Sequence, residues 1–365
     1  MKKYLTLAAT AALVLAACAK IETSVPASSQ KNAIDFTTYS PKALNKADAA
    51  DYASGNTLVD AAQFDVFAWS TANGTSFTGA NGTKFFDWYT VTYKTGGNSN
   101  GATNLYPDGK RYWPSGDQPD YLHFYAYYPS NDGTITAPAA GLGAFSFTAE
   151  AAAADQVDFM VADVVKDQVY DATNSSTDGT VALTFRHMLT RVKVNFKTTQ
   201  EVVDDANTDI VVTGASLKNI NNTGTLTASY NGTATSTVWS SVSGTANYAV
   251  AYPTTALTAS ASSVADADIF LLVPQTMLAN NNASAQYLEV SWNITTDGVT
   301  TSNTKKLYLD DCVNSDVPAT AAAANIDWAK NQSVTYTITI APRQILFTAG
   351  VEGWDAESTG YFNVN

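Results

Sequence analysis

The sequence is short of the residues that most chemistry needs. Among 365 residues there are two cysteines, Cys18 and Cys312, and two histidines, His123 and His187. Two cysteines so far apart do not make a disulfide scaffold. Neither histidine has a second His or Cys at ligand spacing, which argues against a zinc site and favours two hydrogen-bonded structural residues. Basic residues are also scarce: 20 against 33 acidic, a net charge of −13. Such a balance argues against a nucleic-acid or anionic-membrane surface, because phosphate binding rests on Lys and Arg clusters. No apolar run reaches the roughly 20 residues a spanning helix needs. Long helical periodicity is nearly absent, with room for a helical turn or two only at 149–164 and 319–328. The pattern G-x-S-x-G occurs once, as "GNSNG" (97–101), but inside the Gly/Asn loop "TGGNSNGATN" and not at the strand-to-helix turn of a serine elbow. The stretch "GLGAFS" at Gly141 lacks the last glycine and following helix of a dinucleotide loop. The pairs Asp204-Asp205 and Asp310-Asp311 do not follow the alternating ligand pattern of an EF-hand and read as solvated turn residues. No nucleophile–base set is visible, so the chain reads as a non-enzyme without a cofactor.

What is present is Thr, Ser, Asn, Ala and Gly between short alternating apolar segments, the texture of a β-protein with polar turns. "QFDVFAW" (63–69) is apolar on both faces, and Asn73-Gly74 and Asn81-Gly82 are turn signals. The densest aromatic block is 112–130, "YWPSGDQPDYLHFYAYYPS". Its alternation predicts a strand over 121–128. In "VALTFRHMLTRVKVNFK" (181–197), Val192, Val194 and Phe196 alternate with Lys193, Asn195 and Lys197, a strand with one wet face. "QSVTYTITI" directs Val334, Tyr336, Ile338 and Ile340 one way and threonines the other. At this length the chain has room for two domains, and the pattern predicts two antiparallel β-sandwiches. Cys312 is expected to be a small buried thiol.

The N-terminus has a different texture. Lys2 and Lys3 precede an apolar run from Tyr4 to Leu15, and "LAAC" closes it at Cys18. This is the layout of an export signal. With cysteine after the small residues, it resembles the lipobox of bacterial lipoproteins. Residues 1–17 are then the signal peptide, and Cys18 is the acylated anchor, held by about 0.8 kcal/mol per buried CH₂.

The lipobox, "YWP…DYLHFYAYYP", "VDFMVAD", "VALTFRHMLTRVKVNF" and "VTYTITIAPRQILFTAGVEGW" stand in an order that resembles the fimbrillins of the Bacteroidales, the FimA/Mfa-like pilin subunits of type V pili. The resemblance covers almost the whole chain. It implies an all-β fold of two antiparallel transthyretin-like β-sandwich domains with very little helix. It also implies a surface pilus subunit that supports adhesion, located at the outer membrane and cell surface. Its partners would be like or related pilin subunits, outer-membrane lipid through Cys18, and a surface trypsin-like protease. Assembly in that scheme follows removal of an N-terminal strand, whose groove accepts a C-terminal strand of a neighbour.

On this chain the resemblance places a removable propeptide at 18–46, with "AIDFTTY" (33–39) as the leaving strand, then sandwiches at 47–190 and 191–365. The family commonly cuts after arginine, whereas the first arginine here is Arg111. Lys46 stands about where that arginine would, with Lys42 and Lys31 as alternatives. Two donor strands remain open: 344–351 through Ile345 and Phe347, and the tail through Tyr361, Phe362 and Val364. The alternative reading is a monomeric surface lipoprotein that grips glycan or host protein through an aromatic-rich face, with Trp113 and Tyr125 as candidates.

Overall fold

The computed structural model describes residues 33–39, 58–94, 104–115, 118–170, 179–263, 265–312, 327–342 and 344–353. Strands dominate. The first nine are β1 (Asp35–Tyr39), β2 (Gln63–Thr71), β3 (Thr83–Thr92), β4 (Tyr121–Tyr128), β5 (Ile135–Thr136), β6 (Gly143–Thr148), β7 (Met160–Ala162), β8 (Val165–Gln168) and β9 (Thr180–His187). After β10 (Thr190–Thr198) comes the short helix α1 (Gln200–Asp204). Then follow β11 (Thr208–Ile220), β12 (Thr223–Tyr230), β13 (Thr235–Ser243), β14 (Ala246–Ala249) and β15 (Phe270–Leu272). The last four are β16 (Tyr287–Thr296), β17 (Val299–Tyr308), β18 (Gln332–Ala341) and β19 (Gln344–Gly353). The fold is all-β, of sandwich type, with very little helix.

Four sheets form. The largest has seven strands in the order β1-β9-β7-β4-β2-β3, with β8 also paired to β4. The others have four each: β15-β10-β18-β19, β14-β11-β16-β17 and β13-β12-β6-β5. The last draws strands from both sides of residue 190. Most neighbours are antiparallel, but β1 runs parallel to β9 and β10 parallel to β18.

Sequence alternation explains which faces are dry. In β2, Phe64, Val66 and Ala68 enter one apolar core with Phe36, Phe124 and Phe185, while Phe67 and Trp69 enter a second with Tyr125 and Phe145. The central strands of the largest sheet are therefore buried on both faces, as their unbroken apolar runs require. In β18, Val334, Tyr336, Ile338 and Ile340 are all fully buried. Cys312 is buried too, and desolvation pushes its thiol up to about 12, so it stays protonated and inert.

Among the described residues, helix is confined to short segments. The stretch 149–164 holds only one short 3-10 turn, Ala153–Asp155. The helix that does form, α1, sits at "QEVVD" and buries a single valine, too little apolar periodicity to be visible in sequence. Of 319–328, only Asp327 and Trp328 are described, and Trp328 makes an antiparallel bridge with Gln275.

Candidate assembly interface

The N-terminal strand of the described chain lies at one edge of the fold. β1 closes one edge of the seven-stranded sheet, with Asp35 opposite Thr180 through Tyr39 opposite Thr184. Its alternation is complete: Ile34, Phe36 and Thr38 are 1%, 3% and 3% exposed, while Tyr39 is exposed. Phe36 meets Phe64 and Phe124 edge to face, with ring centroids 6.2 and 5.7 Å apart. Such pairs add about 0.5–1.5 kcal/mol each beyond area burial. Phe36 thus packs from the edge strand into the core against β2 and β4.

The outer side of β1 is held by the segment 104–113. Arg111 O accepts the Ile34 N–H at 2.8 Å, and Ala33 bridges to Tyr112. Buried Asn104 donates through Nδ2 to Asp35 Oδ1 at 2.9 Å and to Phe36 O at 2.8 Å. The Tyr106 hydroxyl also donates to Asp35 Oδ1. Burial, followed by the Asp35 charge, drives the Tyr106 phenol far above its ordinary value, so it remains a donor. Tyr106 lies over Tyr89, with centroids 6.0 Å apart, and the Arg111 guanidinium caps the other ring at 4.7 Å. The clasp therefore acts through Asp35, the one acidic residue of the strand, and through the backbone at Ile34 and Phe36.

Gly179 sets the junction with β9. Its φ of +78° is a left-handed conformation, and an added Cβ would lie 2.8 Å from Trp113 Nε1. Its carbonyl accepts both the Trp113 indole N–H at 3.0 Å and the Asp35 N–H at 3.3 Å. Glycine is needed here on both counts.

The C-terminal candidate occupies a different position. β19 pairs antiparallel with β18 over its whole length, Gln332 opposite Gly353 through Ala341 opposite Gln344. Ile345 and Phe347 thus belong to a strand that completes its own sheet. Tyr361, Phe362 and Val364 lie outside the described residues, as do Cys18, Lys31, Lys42 and Lys46.

The remaining candidates resolve into structural roles. His123 is buried, with Nε2 2.9 Å from the Thr71 hydroxyl and Nδ1 accepting the Asp167 N–H at 2.8 Å. It stacks on Phe77 at 4.5 Å, and desolvation lowers it to about 4. His187 is equally buried and pairs with Asp158 at 2.8 Å. Among the described residues no His, Cys, Asp or Glu group is arranged to hold a metal ion. No described helix is long and apolar enough to cross a membrane. The aromatic-rich face needs correction: Trp113 and Tyr125 are buried, Tyr125 completely. Both strand faces at 121–128 are covered by packed elements, so these rings fill cores and present no face to a ligand. What sequence reasoning missed was the clasp. Asn104 and Tyr106 look like turn residues until the fold brings them to Asp35, about 70 positions away.

Comparison with known proteins gives these features a context. No curated protein matches the chain. Among solved structures, a fimbrial protein from Bacteroides vulgatus is similar in fold, with a TM-score of 0.52 and 20% identity, over 88% of this chain and 99% of that one. The tip fimbrial protein Mfa3 from Porphyromonas gingivalis, with a C-terminal truncation, aligns with a TM-score of 0.41 and 11% identity, over 88% of this chain and 99% of that one. The model of the family described as fimbrillin-like matches residues 52–354, most of the sequence. The chain belongs to the fimbrillin-like family.

Proposed function

We propose that this protein is a structural subunit of a surface pilus, exported as a lipoprotein through Cys18 and polymerised when a protease releases β1. The observation that carries this reading is the position of β1. It is a five-residue edge strand whose inward side chains fill the core, and it lies upstream of a lysine-bearing stretch. A trypsin-like protease cutting after Lys46, or after Lys42 in the same stretch, would separate β1 from the body; a cut at Lys31 would leave it in place. The sheet would then expose an apolar groove and the unpaired edge of β9, a state that is unstable unless filled.

A neighbouring subunit supplies the replacement by strand addition: main-chain bonds to β9, with alternate side chains entering where Ile34 and Phe36 were. Because β19 already pairs along all of β18, donating it would cost the subunit its own sheet. The tail bearing Tyr361, Phe362 and Val364 carries no such cost, and we take it as the donor. The family-matched segment, 52–354, runs between the two exchanged pieces. Contact of this kind is head-to-tail and does not close, so it builds a filament. The fibre projects from the outer membrane and supports adhesion; the acyl chain on Cys18 holds the subunit at the membrane until processing.

The test is to treat the full-length protein with trypsin and follow it on unheated gels. Loss of the N-terminal segment should coincide with a ladder of heat-sensitive polymer. Lys46→Ala should delay both, and deletion of Tyr361–Asn365 should permit cleavage but stop the ladder. Cleavage with no ladder in the intact chain would overturn strand exchange. Cys18→Ala should abolish membrane attachment in cells.

A further inference from the structure

A cleft of about 390 Å³ opens where three sheets meet, away from β1 and its clasp. Its walls come from β7 and the turn after it, from β9, from β13, and from the turn before β18. Val161 and Met188 form an apolar floor, both buried. That floor is fixed from below, where the Trp239 indole donates to Met188 O at 2.7 Å.

The rim is chemically one-sided. The Lys330 ammonium is folded onto β13, donating to Thr237 O at 2.5 Å and to Thr237 Oγ1 at 2.6 Å. Among the described residues it meets no carboxylate within ion-pair distance. Desolvation lowers its pKa, as expected for a cation without an acidic partner. Thr237 Oγ1 accepts from Lys330, and Thr235 Oγ1 accepts the Val164 N–H at 2.7 Å. Each hydroxyl therefore keeps its own proton to donate, and the ammonium keeps its third. On the opposite wall Asp163 uses Oδ2 for Arg186, at 2.7 and 2.9 Å, which leaves Oδ1 as an acceptor. The cleft thus offers a charged donor corner, one anionic acceptor and an apolar base.

We propose that this cleft binds an acidic sugar, with its carboxylate at Lys330, Thr235 and Thr237. A ring hydroxyl donates to Asp163 Oδ1, and the C–H face lies over Val161 and Met188. Inorganic phosphate satisfies the donor corner only, having no C–H face to lay over Val161 and Met188. A neutral sugar leaves the ammonium without a counter-charge. The volume falls within the roughly 300–1,000 Å³ of small-molecule sites. The proposal does not depend on polymerisation, because every lining residue lies in the described body of a single subunit.

The test is isothermal titration of the full-length, untreated chain with N-acetylneuraminate, glucuronate, glucose, acetate, phosphate and 3′-sialyllactose. The sugar acids should bind saturably and glucose should not. Lys330→Met should weaken them at least about tenfold, the scale of one charge-assisted hydrogen bond, while Lys330→Arg retains most of the affinity. Asp163→Asn should reduce the preference for sugar acids over acetate. Unchanged melting curves would show that each variant folds. Binding of 3′-sialyllactose at least as tight as the free acid identifies a glycan terminus as the source; its exclusion identifies the free sugar acid. Equal binding of acetate or phosphate, equal binding of glucose, no binding at all, or indifference to Lys330→Met would each overturn the proposal.

Discussion

β1 and β17 are both edge strands, and they solve the same problem in opposite ways. β17 has ten residues, is mostly exposed, and carries Thr, Ser, Asn and Lys. Val299 is 69% exposed at its start. Hydroxyl pairs with β16, Ser291 with Thr304 at 2.8 Å and Thr295 with Thr300 at 2.9 Å, tie it down side by side. Lys305 and Lys306 charge its end, and Lys306 covers the Tyr287 ring. This edge is solvated and charged, a surface on which another strand gains little. β1 has half as many residues, yet it buries a phenylalanine in the core and is clamped from outside through Asp35. One edge is built to stay closed to strangers. The other depends on a short strand whose side chains fill the core.

That contrast predicts a hierarchy of effects. The largest belongs to the plug: Phe36→Ala in the full-length chain should cost about 3–5 kcal/mol in denaturant unfolding, the range for a buried aromatic deletion. A loss below 1 kcal/mol would show that β1 is as superficial as β17. Next is an acid effect that belongs to neither edge. His123 has a folded pKa of about 4, below its unfolded value near 6.5, so below pH 6.5 the unfolded chain binds a proton that the folded chain refuses. Stability should therefore fall between pH 6.5 and 4, by up to about 3 kcal/mol, and His123→Gln should flatten that slope. If acid instead releases β1 alone, seen as faster tryptic loss of the N-terminal segment without global unfolding, the two edges are not anchored in one cooperative body.

A smaller effect isolates the clasp. Asn104→Leu leaves Asp35 and the Phe36 carbonyl short of a donor and should cost about 1–3 kcal/mol. The companion Asp35→Asn, which still accepts, should be milder. Tryptic release of the N-terminal segment should speed up in Asn104→Leu and scarcely change in Asp35→Asn. Smallest of all, Thr304→Ala on β17 should stay within about 0.5 kcal/mol, as for ordinary surface substitutions. A large value there would give the wet edge a role this account denies it.

Legibility in the sequence follows the range of the interactions. Local alternation marks most of the longer strands, because period-two burial is written residue by residue: 63–69, 121–128, 192–196 and 334–340 all lie in strands whose apolar residues are buried. The parallel pairing of β1 with β9 has no local signature, since "AIDFTTY" alternates the same way whichever neighbour it meets. The clasp is further from view, because it joins Asn104 and Tyr106 to Asp35 through a fold that the sequence does not print. The aromatic block misleads for a related reason. Tyr and Trp at high density mark a sugar platform or a core equally well, and only the elements packed over Trp113 and Tyr125 decide between them.

The most direct measurement is the N-terminal residue, by mass spectrometry, of the protein recovered from fibres sheared off intact cells. Strand exchange predicts a start at Ala47, or at Ala43 if Lys42 is used, with residues 33–39 absent from the polymer. Fibres whose subunits retain Cys18 and β1 would contradict it.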